Sequence, residues 1–378
     1  MVVALRLCSV FVTTIVMVTL ASAQYHFDAF TTDNGLPHNS INAIVQSHDG
    51  YLWLATTDGI VRYDGVRFTV FNVANSPGIK SNRCTSVFED KSGQLWIGTE
   101  DSGLMIYSDG VFKTYGLEQG FPGIFVRKIW SDPNGDVILY VNDAFYKWEN
   151  DRAVLYLLPT SAPPDRIYSG QQNGRVWYLD QTSLHILTAS RTITVNKAEG
   201  LSSLNVNTVY EDPQNNIWVG TDAGLNLIKD GKVQVFTTKD GLPENYVRTI
   251  VVDRSGNLWV AGRSSGITLY KDGHFTNFTT AQGLSDNAVN KLYVDREDTL
   301  WICTVSHGLN RSSKEAVHTI STEQGLPSNN IYPIFEDREG NVWIATWSKG
   351  LTRYRDGKFT LYQSRDGLGS PIIPLYAP

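Results

Sequence analysis

Polar and apolar positions alternate along this chain in short beats. From residue 25 onward, brief runs rich in Val, Ile, Leu, Tyr, Phe and Trp are separated by clusters of Gly, Asp, Asn and Ser. Such runs read as β-strands and such clusters as turns. No stretch after residue 24 carries the three-and-four apolar spacing of a helix. The runs come in sets of four. One complete set is "NYVRTIVVD", "GNLWVAG", "GITLYKDG" and "HFTNFTT", within residues 245–280. "YDG", "KDG" and "RDG" recur between the third and fourth strands, as tight turns with Gly at positive φ require.

The sets repeat. "NGLPHNSINAIVQSHDGYLWLAT" (34–56), "DGLPENYVRTIVVDRSGNLWVAG" (240–262) and "QGLPSNNIYPIFEDREGNVWIAT" (324–346) are one phrase written three times. Its fixed point is Gly or a substitute, one residue, an aliphatic and then Trp, at Trp53, Trp96, Trp218, Trp259, Trp301 and Trp343. "NGRVWYL" at Trp177 is a weaker copy, and Ile138 takes the Trp place in "NGDVILY". Successive steps are 43, 42, 39, 41, 41, 42 and 42 residues, so eight copies fill Tyr25 to Tyr362. A fixed period of this length signals propeller blades. Four antiparallel strands cannot bury both faces alone. Stacking the units radially buries them, and closing the ring removes the sheet edges. The expected fold is all-β, a β-propeller of four-stranded antiparallel blades, with each motif Trp packed between neighbours. The count is seven or eight. "YHFDAF" resembles a fourth strand and closes the ring near Gly308–Arg311 for seven blades, or near Gly350–Tyr354 for eight.

The first residues change the picture of where the chain works. "MVVALRLCSVFVTTIVMVTLASAQ" has one early charge, Arg6, an apolar run from Leu7 to Leu20 and "ASA" before Gln24. This reads as a secretory signal, residues 1–23, cleaved after Ala23. The run is shorter than the roughly 20 residues of a membrane span, so no stable span is expected after cleavage and the mature chain is periplasmic or secreted. The formal charge of −6 becomes −7 without Arg6, which argues against a nucleic-acid partner. Cys84 and Cys303 sit in different repeats and read as small buried apolar residues rather than a disulfide or a metal site.

Motifs for nucleophilic, metal or nucleotide chemistry are missing from the sequence. Asp49, Asp90, Asp132, Asp212, Asp253, Asp295 and Asp337 all precede the second strand and read as turn residues. The seven His residues are dispersed. Neither catalysis nor a cofactor is therefore expected. The repeat supplies a sharper candidate. Twelve and nine residues before the motif position stand almost only apolar residues. Eleven before it stand Asn42, Thr85, Arg127, Arg166, Asn207, Arg248, Asn290 and Tyr332. A polar position on the inner strand is expected to face the channel, where arginines and asparagines suit hydroxyls and carboxylates. The alternative is a solvated funnel with no ligand. A second, weaker set lies in the loops after the Trp strand: Asp58, Glu100, Asp222, Arg263, His307 and Trp347, of which Arg263, His307 and Trp347 suit a sugar face.

Aligned, the copies give "GLPxNxVxxIxxDxxGxLWIGTxxGLxRYxDGxF", which resembles the repeat of the two-component regulator propeller family. Residues 34–72, 240–278 and 324–362 match nearly throughout, and residues 116–195 match worst. The resemblance implies the periplasmic sensor region of hybrid sensor histidine kinases and diguanylate cyclases, binding a small polar ligand, in many members an oligosaccharide. Family habit favours seven blades, which makes 24–315 the ring, 316–362 a surplus repeat and 363–378 a tail. The family pattern continues into more repeats, a β-sandwich, a membrane helix and an output domain. None follows here, so the kinase or cyclase portion, or a second copy in a homodimer, is an expected partner. Two other classes stay open: a propeller enzyme like the streptogramin lyases, and a protein-interaction scaffold.

Overall fold

The structure, a computed structural model, describes residues 25–132, 134–156, 166–169, 176–187, 192–313, 321–322, 325–355 and 358–369; for 166–169, 176 and 187 it describes the backbone alone. The expected signal segment, 1–23, and residues 370–378 of the expected tail lie outside the described residues. The chain divides into two compact units, one up to Glu315 and one from Ala316. No helix among the described residues is long and apolar enough to cross a membrane.

Every strand belongs to a four-stranded antiparallel sheet. The first sheet orders Ile41–Gln46, Leu52–Thr56, Gly59–Tyr63 and Phe68–Phe71, innermost to outermost. The same order recurs in the sheets whose inner strands are Cys84–Glu89, Val126–Ser131, Arg166–Ser169, Val206–Glu211 and Thr249–Val252. Burial explains the sequence pattern within each blade. "LWLAT" at Leu52–Thr56 is buried at every position because both faces of a second strand are covered by neighbouring blades. The outermost "FTVF" is partly exposed because it is an edge.

The seventh sheet is built from both ends of the unit. Val289–Val294, Leu300–Thr304 and Leu309–Ser313 are completed by His26–Phe30, with His26 opposite Ser313 and Phe30 opposite Leu309. The leading strand thus pairs with repeat 7, at the site expected for seven blades. Gly308 makes room for it. Its φ is +81°, and a Cβ there would lie 2.0 Å from the Phe30 carbonyl oxygen. Apolar clusters then run round the unit across each seam. Trp53 packs among residues of blades 1 and 2, Trp96 of 2 and 3, Ile138 of 3 and 4, and Trp177 of 4 and 5. Trp218 and Trp259 share a cluster spanning blades 5, 6 and 7, and Trp301 joins blade 7 to Ile41 and Ile44 of blade 1.

The turn carboxylates are spent inside their own repeats. Asp90, Asp212, Asp253, Asp295 and Asp337 each accept from the indole N–H six residues on, at 2.7–3.3 Å. In the first repeat that acceptor is Ser47, bonded to Trp53 at 3.2 Å, so Asp49 is not the equivalent residue. Cys84 and Cys303 are unpaired and fully buried, and burial pushes both thiols up to about 12. The second unit holds one sheet, Ile331–Glu336, Val342–Thr346, Gly350–Arg355 and Lys358–Tyr362. A short turn at Ser364–Asp366 follows it, capped by Gly367.

Candidate functional site

The inner strands carry a defect that sets the geometry of the channel mouth. In five blades the pairing of first and second strands slips by one residue: between Ile41 and Ala43, Cys84 and Ser86, Val126 and Lys128, Val206 and Thr208, and Val289 and Lys291. The skipped residue is a β-bulge, which re-aims its side chain. It is the polar position of the repeat, and at four of the five its side chain bonds to the next blade. Asn42 donates to the Cys84 carbonyl at 2.8 Å, Asn207 to that of Val247 at 3.0 Å and Asn290 to that of Ile41 at 2.8 Å. Thr85 donates likewise to Val126, and Arg248 to Val289 at 3.4 Å. Four of the acceptors begin the next inner strand and Val247 lies just before it, so these five residues form a belt joining blade to blade.

Asn42, Thr85, Asn207, Arg248 and Asn290 are half-buried, and each gives at least one hydrogen bond to the neighbouring blade. Arg127 does stand exposed, with its guanidinium 4.6 Å from the Phe125 ring and 3.8 Å from Asp143. Arg166 lies in the first strand of blade 4, and its side chain is outside the described residues. Tyr332 belongs to the second unit, where its ring lies 5.1 Å from that of Trp347, which is 50% exposed. A signal for the bulge is present in the sequence. The flanking buried positions, such as Ile41 and Ile44, are three apart, and in an unbroken strand odd spacing puts residues on opposite faces.

The residue after the bulge is the one sequence reasoning passed over. Blade by blade it is Ala43, Ser86, Lys128, Ile167, Thr208, Thr249 and Lys291. Lys128 is exposed and Lys291 half-buried. The surrounding inner strands still strip each ammonium of part of its hydration, which lowers both pKa values. For Lys128 the charge of Lys291 adds to this confinement, and its pKa falls to about 8.

The loops beside the mouth form a second polar layer. Loops after second strands meet Gly-Leu-Pro loops on one face. Asn82 bonds Asp58 at 3.0 Å across blades 1 and 2, and Gly308 bonds Asn39 at 2.9 Å across blades 7 and 1. Arg83 pairs with Glu100 at 2.6 Å, and Asn205 bonds Asp222 at 2.7 Å. On blade 6 the exposed Arg263 lies 4.3 Å above the Tyr246 ring, and the Tyr246 hydroxyl donates to Asn207 at 3.3 Å. Glu244 accepts from the Ser264 N–H and the Ser265 hydroxyl, both at 3.0 Å. On blade 7, His307 Nδ1 lies 2.9 Å from Asp286 and 3.1 Å from Ser306 Oγ. Burial opposes ionisation of Asp286, but the Ala288 N–H, His307 and Ser306 outweigh it and hold the carboxyl below its ordinary value. Among the described residues no three His, Cys, Asp or Glu are grouped to hold a metal.

The two component regulator propeller model matches six segments, 35–58, 78–101, 200–223, 241–264, 283–306 and 325–348. These repeats belong to the two-component regulator propeller family. Each matched segment runs from a Gly-Leu-Pro-type turn through the inner strand, the Asp–Trp turn and the second strand to the next mouth loop. The regulator-propeller signature is thus the strip of chain that builds the mouth. Repeats 3 and 4 fall outside it, and repeat 3 carries Arg127 and Lys128.

Solved structures share the fold. The extracellular domain assigned to the hybrid two component system BT3049 of B. thetaiotaomicron is 22% identical, with a TM-score of 0.63 over 89% of this chain and 49% of that one. The extracellular domain of the one component system BT4673 of the same organism gives 18% and 0.60 over 89% and 47%. This regulator-propeller chain thus spans about half the length of those domains. A streptogramin B lyase is 16% identical, with a TM-score of 0.59 over 78% of this chain and 99% of the lyase. No curated protein sequence matches the chain.

Proposed function

We propose that the first unit is the ligand-binding module of a two-component-type sensor working in the periplasm or outside the cell. It takes a small polar ligand, an oligosaccharide, at the channel mouth and does no chemistry on it. The observation that carries this reading is the exposed Arg263 stacked on Tyr246, beside Glu244 and the Asp286–His307 pair. An aromatic face with fixed donors and acceptors is what a sugar's apolar face and hydroxyls require. The family's presence in extracellular sensor domains supports it.

A lyase-like enzyme would need His307 and His274 to converge on one carboxylate. His274 instead stands exposed at the start of the outermost strand of blade 6. At His307 one nitrogen serves both Asp286 and Ser306. A relay that activates a nucleophile needs its two partners on opposite ring nitrogens. Binding is accordingly preferred to turnover. A thermal-shift screen against an oligosaccharide set tests the reading. A ligand at 100 times its Kd adds about 2.7 kcal/mol of stability, and Arg263→Ala should abolish the shift. Turnover of a substrate with no stabilising ligand would reverse it.

A further inference from the structure

An inner strand is an edge of its sheet, so alternate N–H groups turn away from its own blade. In blade 7 the Asp295 N–H bonds the Thr299 carbonyl at 3.1 Å, which makes the adjacent Val294–Leu300 pair the non-bonded kind. The Val294 N–H therefore faces blade 6, as the Leu292 N–H does in reaching the Thr249 hydroxyl at 3.4 Å. At the seams on either side a tyrosine meets the equivalent N–H. The Gln46 N–H of blade 1 donates to the Tyr293 hydroxyl of blade 7 at 2.9 Å, and the Val252 N–H of blade 6 meets Tyr210 of blade 5. Between blades 6 and 7 the same position, opposite the motif Trp, is Val251. Valine cannot fill the place of a phenol ring and has no oxygen to offer. The Val294 N–H accordingly has no acceptor among the described residues. A cavity of about 360 Å³ marks the gap, lined by Tyr210, Val251, Arg254, Tyr293 and Val294 among others. It lies on the face opposite the Gly-Leu-Pro loops, where first strands turn into second strands. Asp253 and Asp295 also line it, but turn N–H groups and the indoles of Trp259 and Trp301 occupy their oxygens. The Arg296 guanidinium is spent on Gln46, Ser47 and His48 of blade 1. Arg254 stands exposed.

We propose that this cavity is a second binding site, which takes a small aromatic carboxylic acid with a hydroxyl on its ring. The ring occupies the space that a tyrosine fills at the neighbouring seams, between Tyr210 and Tyr293. The ring hydroxyl accepts from the Val294 N–H, as the Tyr293 hydroxyl does from Gln46. The carboxylate pairs with the Arg254 guanidinium in charge-assisted hydrogen bonds. The volume lies within the range of small-molecule sites, and the lining combines apolar side chains with a few fixed polar groups, as such sites do. The cavity and the mouth lie on opposite faces, so this inference does not depend on what the mouth binds.

Calorimetric titration of the chain with para-hydroxyphenylacetate, phenylacetate and para-cresol tests it. The hydroxylated acid should bind saturably. Phenylacetate lacks the hydroxyl and para-cresol the carboxylate, and each should bind more weakly by about tenfold or more. Val251→Tyr supplies the ring and hydroxyl found at the neighbouring seams and should abolish binding. Arg254→Gln, at an exposed position, should weaken the hydroxylated acid by about tenfold or more and leave para-cresol unchanged. Lys232→Gln, on the outermost strand of blade 5, should change neither. No binding of the hydroxylated acid, or equal binding by the parent and Val251→Tyr, overturns the site. Para-cresol binding as tightly as the acid, or full acid binding by Arg254→Gln, overturns the carboxylate assignment. If Val251→Tyr does not fold, the Arg254→Gln titration decides alone.

Discussion

At the scale of single residues, the belt around the mouth is a set of side-chain donors, three amides, a hydroxyl and a guanidinium, that link one blade to the next. Asn290 and Asn42 donate to carbonyls of the next inner strand while half-buried. Removing either amide leaves a carbonyl without its donor. Asn290→Ala should cost about 1–2 kcal/mol, read from the midpoint of urea unfolding. The mouth carboxylates give the fold a pH signature. Hydrogen bonds from Ser203 and then Asn205 lower the pKa of Asp222, and Asp286 is lowered too. A carboxyl lowered on folding stabilises fully above its unfolded value near 3.8, and the gain drains away as pH falls through the folded value. The melting temperature should therefore fall below about pH 4. The double variant Asp222→Asn, Asp286→Asn should show a shallower acid slope; an identical slope would refute this attribution.

At the scale of the strand, two local devices do most of the positioning, and they differ in how readable they are. The Asp–Trp turn is written at a fixed spacing of six residues, as in Asp253 and Trp259. Counting from the Trp would have led to Ser47 instead of Asp49 in the first repeat. The bulge leaves a fainter trace, an odd spacing between buried positions. Reading the inner strand as regular therefore missed the bonds that Asn42, Thr85, Asn207, Arg248 and Asn290 make to the neighbouring blade. A third device is the approach of the closing strand to Gly308. Gly308→Ala would force a Cβ at positive φ to within 2.0 Å of the Phe30 carbonyl. The strand must move away, and the expected loss is about 1–3 kcal/mol. The corresponding change at Gly273, whose φ is +82° with nothing within 4 Å, should cost less.

At the scale of the whole first unit, stability depends on closing the circle. His26–Phe30 completes blade 7, and Phe27, 4% exposed, joins the cluster that runs through blades 5, 6 and 7. Gln46 of blade 1 accepts from Arg296 of blade 7 at 2.8 Å and donates to Glu297 at 2.7 Å, holding the opposite face of the same seam. Phe27→Ala should cost about 3–5 kcal/mol by denaturant unfolding. Deleting residues 25–30 should cost more and broaden the transition, because an open seam lets terminal blades fray before the rest. An unchanged, single sharp transition after that deletion would show that the seam contributes little.

The sequence by itself determined the strands, the turns and the period. Each depends on residues within one repeat of about 42 positions, where side-chain spacing and turn chemistry are decided locally. Only the tertiary structure decided that His26–Phe30 pairs with repeat 7. Leu309–Ser313 and Gly350–Arg355 offer similar strands, and register between distant segments is chosen by packing at both ends of the ring. It also decided which way the inner-strand side chains point, since one extra residue in a strand reverses every face after it.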